Sequence, residues 1–282
     1  MYPNQISPRR RGMRVLYGCL VAFAIAIWLL PLLAVLLTSL RSLAEINAGE
    51  FWTWPKRLAF VNYVDVFRQT GMARYLLNSL IITVPAVIGA ITLATLAGFA
   101  LAKYRFRGDR LLLALFIGGN FVPYQILMVP VRDFSLHLGL YNTFWALILF
   151  HTAFQTGFAV FFTRNFIAEL PDELIEAARL DGISEWAIFR HIVLPLTRPA
   201  IAALAVLLFT FVWNDYFWAL VLVQSSGVKP VTTALQALLG QFIAAWQLVS
   251  AAALIAAMPP MVMFFAMQRH FIAGLTLGAT KG

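Results

Sequence analysis

The chain has 282 residues, of which 61% are hydrophobic and only 12% charged, and its formal net charge at pH 7 is +9. Soluble domains carry about 25% charged residues, so this composition excludes a soluble globular protein and indicates several membrane crossings. The basic residues are dispersed at the ends of apolar stretches rather than gathered on a soluble domain, which argues against nucleic-acid binding. The single cysteine, Cys19, excludes a disulfide framework and a cysteine-rich metal site.

Six apolar stretches are each near or above the roughly 20 residues that a helix needs to cross a bilayer. In chain order they are residues 15–40, 76–102, 111–131, 144–162, 200–223 and 248–267. We therefore predict an all-α integral membrane protein with six transmembrane helices over residues 15–267. Residues 1–14 form an N-terminal segment, and residues 268–282 form a C-terminal tail. The first stretch follows an arginine cluster, but its apolar run is too long for a cleaved signal peptide, so we expect it to be retained.

The distribution of Lys and Arg predicts the orientation of these spans. If both termini lie inside, the inner segments carry 14 basic residues and the outer segments 7. Basic residues are enriched in cytoplasmic segments, so we expect both termini to be cytoplasmic. The polar loop at residues 164–199 then lies on the cytoplasmic side as well.

Polar side chains in the third stretch suggest a path for a polar solute. Asn120 and Tyr124 are four residues apart and share one helix face, and Gln125 follows directly. Amide and aromatic side chains are what a sugar needs for hydroxyl hydrogen bonds and stacking.

Asp215, preceded by Asn214, is the acidic residue placed well inside a span. A lipid-facing carboxylate there costs about 2.5 to 3.5 kcal/mol, so we expect Asp215 to face the translocation path, the outer mouth of the span or a buried partner. Because no Lys or Arg lies deep in any span, a cationic partner would have to come from another chain, which favours the path. His151 and Gln155 are expected to form hydrogen bonds between helices.

A charged loop separates the fourth and fifth stretches, and residues 169–185 hold six of the 12 acidic residues. Pro171 suits the first turn of a helix, which should end near Leu180 because Gly182 can adopt the left-handed conformation that closes helices. Ser184 is then a predicted N-cap of a second short helix, which must stop before Pro195.

The first of these two helices has a small apolar face. Leu174, Ala177 and Ala178 are three or four residues apart, and acidic residues surround them. Two small alanines allow close approach of another surface, so we expect this face to enter a groove on a partner protein.

The order Glu176-Ala177-Ala178, Gly182 and Ile192-Val-Leu-Pro195 resembles the EAA loop of the inner-membrane permease subunits of bacterial ATP-binding-cassette importers. Most of the chain is similar to the carbohydrate branch, whose type is the second permease of the maltose transporter. The resemblance implies that the loop docks onto ATPase subunits through six residues: Glu176, Ala177, Ala178, Asp181, Gly182 and Pro195.

The same resemblance implies partners and a location. A second homologous permease, two ATPase subunits that hold ATP and Mg, and a periplasmic or lipid-anchored solute-binding protein are expected in a bacterial inner membrane. The outer segment 224–247 would reach the binding protein. No cofactor is expected in this chain. The solute could be a saccharide, a polyol or glycerol phosphate, and in the maltose-type transporter the sugar contacts chiefly the other permease.

Two other classes of function are compatible with a polytopic chain. A secondary carrier could use Asp215 as a proton relay, but it has no use for the acidic loop. A scaffold or lipid-modifying enzyme has no motif in its support. The chain lacks a P-loop, a His-Glu-x-x-His zinc motif and a Gly-x-Ser-x-Gly nucleophile motif, so we predict neither catalysis nor ATP hydrolysis by this chain.

Overall fold

A computed structural model describes residues 11–49, 53–241 and 245–277, with side chains for residues 12–49, 53–240 and 245–268. Within these ranges the chain is helical and contains no β-strand. In chain order the helices are α1 (Arg11–Ser39), α2 (Leu43–Asn47), α3 (Val61–Thr70), α4 (Met72–Lys103), α5 (Asp109–Gly119), α6 (Met128–His137), α7 (Phe144–Ala168), α8 (Asp172–Leu180), α9 (Glu185–Ile188), α10 (Leu194–Trp213), α11 (Phe217–Leu222), α12 (Val231–Gln241) and α13 (Trp246–Leu277).

Five helices in the described ranges are long and apolar enough to cross a membrane. They correspond to the first, second, fourth, fifth and sixth predicted stretches, and a bent helix pair stands in place of the third. α12, with 11 residues, is too short to cross, as expected for the outer segment. The six-span prediction is therefore confirmed when the bent pair counts as one span.

The third span is not the continuous helix that residues 111–131 predict. α5 ends at Gly119, and the chain turns by 92° before the helical segment Tyr124–His137. Gly118 and Gly119 are poor helix formers, and Pro123 disfavours helical geometry at the residue before it. Apolar character alone predicts the span, but these residues break the helix.

The fifth span begins earlier and ends earlier than residues 200–223. α9 does not stop before Pro195 but runs through a π-helical turn (Phe189–Val193) into α10, giving one helix over Glu185–Trp213. The N–H of Leu194 donates to the carbonyl of Phe189, five residues back. This wider turn places Pro195 in the first turn of α10, where its missing N–H is not needed.

The helices form two compact units, each with its own interior. One unit draws on the chain up to Ala73 and on Leu235–Met258. In it, Asn62 donates from Nδ2 to the carbonyls of Ser39 and Arg41, both at 2.8 Å. These bonds tie the start of α3 to the end of α1.

The second unit comprises Arg74–Ala234 and the chain from Pro259. α4 and α7 approach closely in it, because a Cβ on Gly98 would lie 2.5 Å from Oγ1 of Thr163. That hydroxyl donates to the carbonyl of Ala94 at 2.9 Å. Small residues and interhelical hydrogen bonds replace the hydrophobic effect as the source of helix association in lipid.

Candidate functional sites: the charged loop and an intramembrane pocket

In the loop between α7 and α10, the first helix and the start of the second lie where the sequence predicts them. α8 begins at Asp172, directly after Pro171, and ends at Leu180. Gly182 has a φ of +76°, and the N–H groups of Gly182 and Ile183 donate to the carbonyls of Arg179 and Ala178. This is the Schellman pattern of helix termination. Ser184 caps α9, since its Oγ accepts from the N–H of Ala187.

The apolar face of α8 is divided, which corrects the predicted grouping of Leu174, Ala177 and Ala178. Ala178 is 6% exposed and Ile175 2%, and both pack into the protein's own core, whereas Leu174 is 47% exposed. That core also contains Phe99, Ile167, Ile188, Phe189 and Val193. Ala178 therefore cannot enter a partner's groove while this core is intact.

The outward surface of α8 consists of other residues. Leu180 is 89% exposed, and five further loop residues are exposed: Leu174, Glu176, Ala177, Asp181 and Gly182. Leu174, Ala177 and Asp181 follow one another at helical spacing and share a face. Pro195, the remaining predicted docking residue, is half-buried in the first turn of α10.

Ionic contacts fasten this loop to the end of α4. Nζ of Lys103 donates to Oδ1 of Asp172 and to the carbonyl of Leu170, both at 2.6 Å. The Lys103 ammonium holds the pKa of Asp172 below its usual range through this hydrogen bond. Asp172 therefore stays ionised at a lower pH than an ordinary aspartate does, so its contact with Lys103 resists acid.

A second group joins α8, α9 and the end of α4. Nε of Arg179 donates to Oε1 of Glu185 at 2.7 Å, and its guanidinium lies 5.2 Å from the ring centre of Tyr104. The Tyr104 hydroxyl donates to the same carboxylate. Burial and the Glu185 hydrogen bond raise the pKa of Tyr104, and the carboxylate raises the pKa of Arg179. Nothing in the sequence pairs residues 81 positions apart, so sequence reasoning missed these contacts.

A cavity of about 430 Å³ lies among α7, α10, α11 and the segment that follows α5. Its lining residues are Asn120, Tyr124, His151, Phe154, Gln155, Phe158, Phe211, Asp215 and Trp218. We call this cavity the intramembrane pocket.

The pocket gathers three of the five predicted path residues, Asn120, Tyr124 and Asp215. Gln125 is exposed and is not part of the lining, because the turn after α5 points it elsewhere. Asn214 donates from Nδ2 to the carbonyl of Thr210 within its own helix, at 2.9 Å. The spacing of residues in sequence could not show which of these neighbours enters the pocket.

Asp215 lies in the break between α10 and α11, not inside a continuous helix. Its carboxylate accepts from the N–H groups of Trp218 (3.3 Å) and Ala219 (3.0 Å), the first turn of α11. Oδ2 is also 3.5 Å from Nε2 of His151 on α7. The carbonyl of Asp215 accepts from Oγ1 of Thr232 at 2.6 Å. Asp215 thus both lines the pocket and stabilises the broken helix.

His151 is a buried neighbour of Asp215 within this chain, whereas a Lys or Arg partner would have had to come from another chain. It is buried in α7, and its Nδ1 has no hydrogen-bond partner among the described residues. No three His, Cys, Asp or Glu side chains in the described ranges are gathered in a way that could hold a metal ion.

Helices that can span a membrane, a pocket lined by aromatic and polar side chains, and an ion-paired loop are the features expected of a membrane transport protein. Residues 90–276 match the family described as the binding-protein-dependent transport system inner membrane component. The chain belongs to this family. It is a permease component of a transport system rather than an enzyme, and the resemblance drawn from the loop is confirmed.

Named relatives and a solved structure agree with this family. The chain is 40% identical to the osmoprotective compounds uptake permease protein GgtD of Synechocystis sp., over 90% of this chain and 88% of the relative. It is 34% identical to the arabinooligosaccharides transport system permease protein AraQ of Halalkalibacterium halodurans, over 93% and 94%.

The fold is similar to a chain in a bacterial ABC transporter involved in the import of the acidic polysaccharide alginate. The TM-score is 0.84 at 22% identity, and the match covers 95% of this chain and 100% of that one. At this identity the likeness confirms the fold of an importer permease.

Proposed function

We propose that this chain forms the translocation path for a neutral saccharide or polyol in an ATP-driven, binding-protein-dependent importer. The observation that carries the proposal is the composition of the intramembrane pocket. The relatives of this chain, named for osmoprotective compounds and arabinooligosaccharides, also support a polar, hydroxyl-rich solute.

The pocket offers two kinds of contact that a sugar requires. Five aromatic side chains supply flat apolar faces for the C–H faces of a sugar ring: Tyr124, Phe154, Phe158, Phe211 and Trp218. Amide and carboxylate groups, including Asn120, Gln155 and Asp215, supply hydrogen bonds to hydroxyl groups. The volume of about 430 Å³ lies within the range of small-molecule sites.

The charge of the lining narrows the solute class. The lining contains the carboxylate of Asp215 and no Lys or Arg. A solute that carries a carboxylate or phosphate would meet the like charge of Asp215 with no Lys or Arg to compensate it, and that repulsion disfavours such a solute. Neutral saccharides and polyols are therefore favoured over glycerol phosphate and acidic sugars.

The loop provides the surface for the ATPases. Its outward residues Leu174, Ala177 and Asp181, with the neighbouring Glu176 and Gly182, would contact an ATPase subunit. ATP and Mg would bind to a pair of such subunits, since the chain lacks a P-loop. A second permease would complete the path, and a binding protein would deliver solute on the opposite side. Both termini and the loop would then be cytoplasmic.

A continuous helix connects the two sites. The helix over Glu185–Trp213 begins at the loop and ends beside Asp215 at the pocket. Lys103 and Arg179 tie the loop to the end of α4 and to Glu185, at 2.6 and 2.7 Å. A displacement of α8 by closing ATPases would therefore move the pocket wall and open it to alternate sides.

Reconstituted transport tests this function. Proteoliposomes that contain the chain with its ATPases and second permease should accumulate a neutral saccharide only with ATP and the binding protein. A saccharide of similar size that carries a carboxylate should not compete for uptake. Uptake driven by a proton gradient without ATP would instead support the secondary carrier with Asp215 as proton relay. Equal uptake of the acidic saccharide would contradict the proposed preference for neutral solutes.

A further inference from the structure

A second groove, separate from the pocket, lies between α4 and the helix that follows the loop. It has a volume of about 430 Å³ and is lined along α4 by residues 91–96 and along the facing helix by residues 186–201. Both helices belong to the set that can cross a membrane. The groove is therefore within reach of membrane lipid.

The floor of the groove presents an apolar surface, although two of its residues are threonines. Ile91, Leu96 and Ile201 contribute hydrocarbon surface. The hydroxyls of Thr92 and Thr95 donate to carbonyls of their own helix, at 2.7 and 2.8 Å. Because these donors are satisfied, both threonines can present methyl groups, and the floor suits an acyl chain.

Two guanidinium groups also line the groove. Arg190 and Arg198 are exposed, and neither has a hydrogen bond or an ion pair within the described residues. The lining contains no acidic residue. The exposed indole of Trp186 lies in the same lining, and Trp is enriched at membrane interfaces.

The neighbouring cationic cavity has a different character. It has a volume of about 420 Å³, and its lining includes Lys103 and Arg179 but also Asp109, Asp172 and Glu176. Lys103 and Arg179 are already bound to carboxylates. That cavity also holds Arg105, Arg110 and Arg164, but acidic side chains share its lining, whereas the lining of the groove contains basic side chains and no acidic one.

We propose that the groove binds an anionic phospholipid. An acyl chain would lie on the floor, and the phosphodiester would accept hydrogen bonds from Arg190 and Arg198, since guanidinium groups match phosphate geometry. Trp186 would lie at the level of the headgroup. Arg190 lies within the π-helical turn Phe189–Val193, and Pro195 falls between the two arginines. The lipid would therefore brace the irregular part of the helix that links the loop to the pocket.

The test uses the transporter extracted from membranes with the subunits that co-purify. The double variant Arg190→Ala with Arg198→Ala removes both guanidiniums from the groove. Arg105→Ala with Arg107→Ala is the matched control, because it removes two exposed charges near the end of α4 that are absent from the groove lining. Native mass spectrometry then measures retained phosphatidylglycerol against phosphatidylcholine.

We expect wild type and the control pair to retain phosphatidylglycerol. The groove variant should bind it about 30-fold more weakly, because each basic residue near a membrane surface contributes about fivefold. Photoactivatable phosphatidylglycerol should label residues 91–96 in wild type and not in the groove variant. Unchanged retention in the groove variant would overturn the proposal. Crosslinking of a Thr92→Cys variant to a second permease would also overturn it, since that chain would then cover the groove.

Discussion

Asp215 and His151, from two different helices, approach to 3.5 Å between Oδ2 and Nε2 beside the intramembrane pocket. The same carboxylate caps α11 through Trp218 and Ala219. One side chain therefore serves the solute path and the integrity of the fifth span. Substitutions of Asp215 should therefore affect both assembly and transport. The size of each effect depends on which contacts of the carboxylate the new side chain can still make.

Asp215→Asn keeps one acceptor oxygen, so one N-cap hydrogen bond can persist while the contact with His151 changes. We expect a stability loss of about 1 kcal/mol, retained assembly and an altered uptake rate or solute preference. Yield of the assembled transporter and uptake, measured together, check this. Asn214→Ala is the control, since its side chain bonds within α10. A collapse of assembly in Asp215→Asn would show that the residue acts chiefly in packing.

Ala178→Trp and Ala177→Trp separate the buried face of α8 from its outward face. Ala178 is enclosed with Phe99 and Ile188, so an indole there overpacks the core and should cost about 1 to 3 kcal/mol or more. Ala177 is exposed, so Ala177→Trp should fold normally yet fail to bind the ATPases. Thermal unfolding and co-purification of ATPases measure the two effects. Normal ATPase binding by Ala177→Trp would reassign the docking face.

Gly182→Val should destabilise the loop through its backbone alone. A Cβ at this position meets no atom within 4 Å, but φ is +76°. A left-handed conformation costs an L-residue about 1 to 2 kcal/mol, and a β-branched residue resists it most. Gly182→Asn should be tolerated better, since Asn adopts this conformation more readily. Equal thermal stability of the Val and Asn variants would contradict this account.

Glu45 should make the segment between α1 and α3 sensitive to acid. Its carboxylate accepts from the N–H of Lys56 (2.7 Å) and from the N–H and Oγ of Ser42 (2.9 and 2.8 Å). These bonds, with the backbone N–H of Lys56 first, lower its pKa from 4.5 to about 2. A depressed pKa stabilises the folded state above the unfolded value, and that stabilisation is lost as pH falls from 4.5 through 2.

Thermal unfolding of the purified protein, followed at a series of pH values, measures this loss. Wild type should lose thermal stability between pH 5 and about 2, and Glu45→Gln should start lower and lose less over the same interval. A parallel pH dependence in the two proteins would show that Glu45 does not control it.

Local signals in the sequence were sufficient for the loop and for most spans. Pro171 and Gly182 determine where α8 begins and ends, and Ser184 determines where α9 begins, because start, stop and cap preferences depend on the backbone of a few adjacent residues. The predicted end of the second helix before Pro195 was wrong, since that helix continues to Trp213. Long apolar runs likewise predicted the membrane crossings, since burial in lipid depends on composition over about 20 residues. The pattern around Glu176 and Pro195 also identified the family.

Tertiary structure alone decided which side chains meet. Ala178 turns inward because a hydrophobic core lies beneath it, and sequence spacing cannot tell the side of a helix that faces its own protein from the side that faces a partner. His151 reaches Asp215 across 64 positions of the chain, and Lys103 reaches Asp172 across 69. Such pairs depend on how helices pack, whereas hydropathy and caps depend on neighbours in the chain. The 92° bend and the π-helical turn likewise could not be predicted from hydropathy, because Gly and Pro can either break a helix or be accommodated within it.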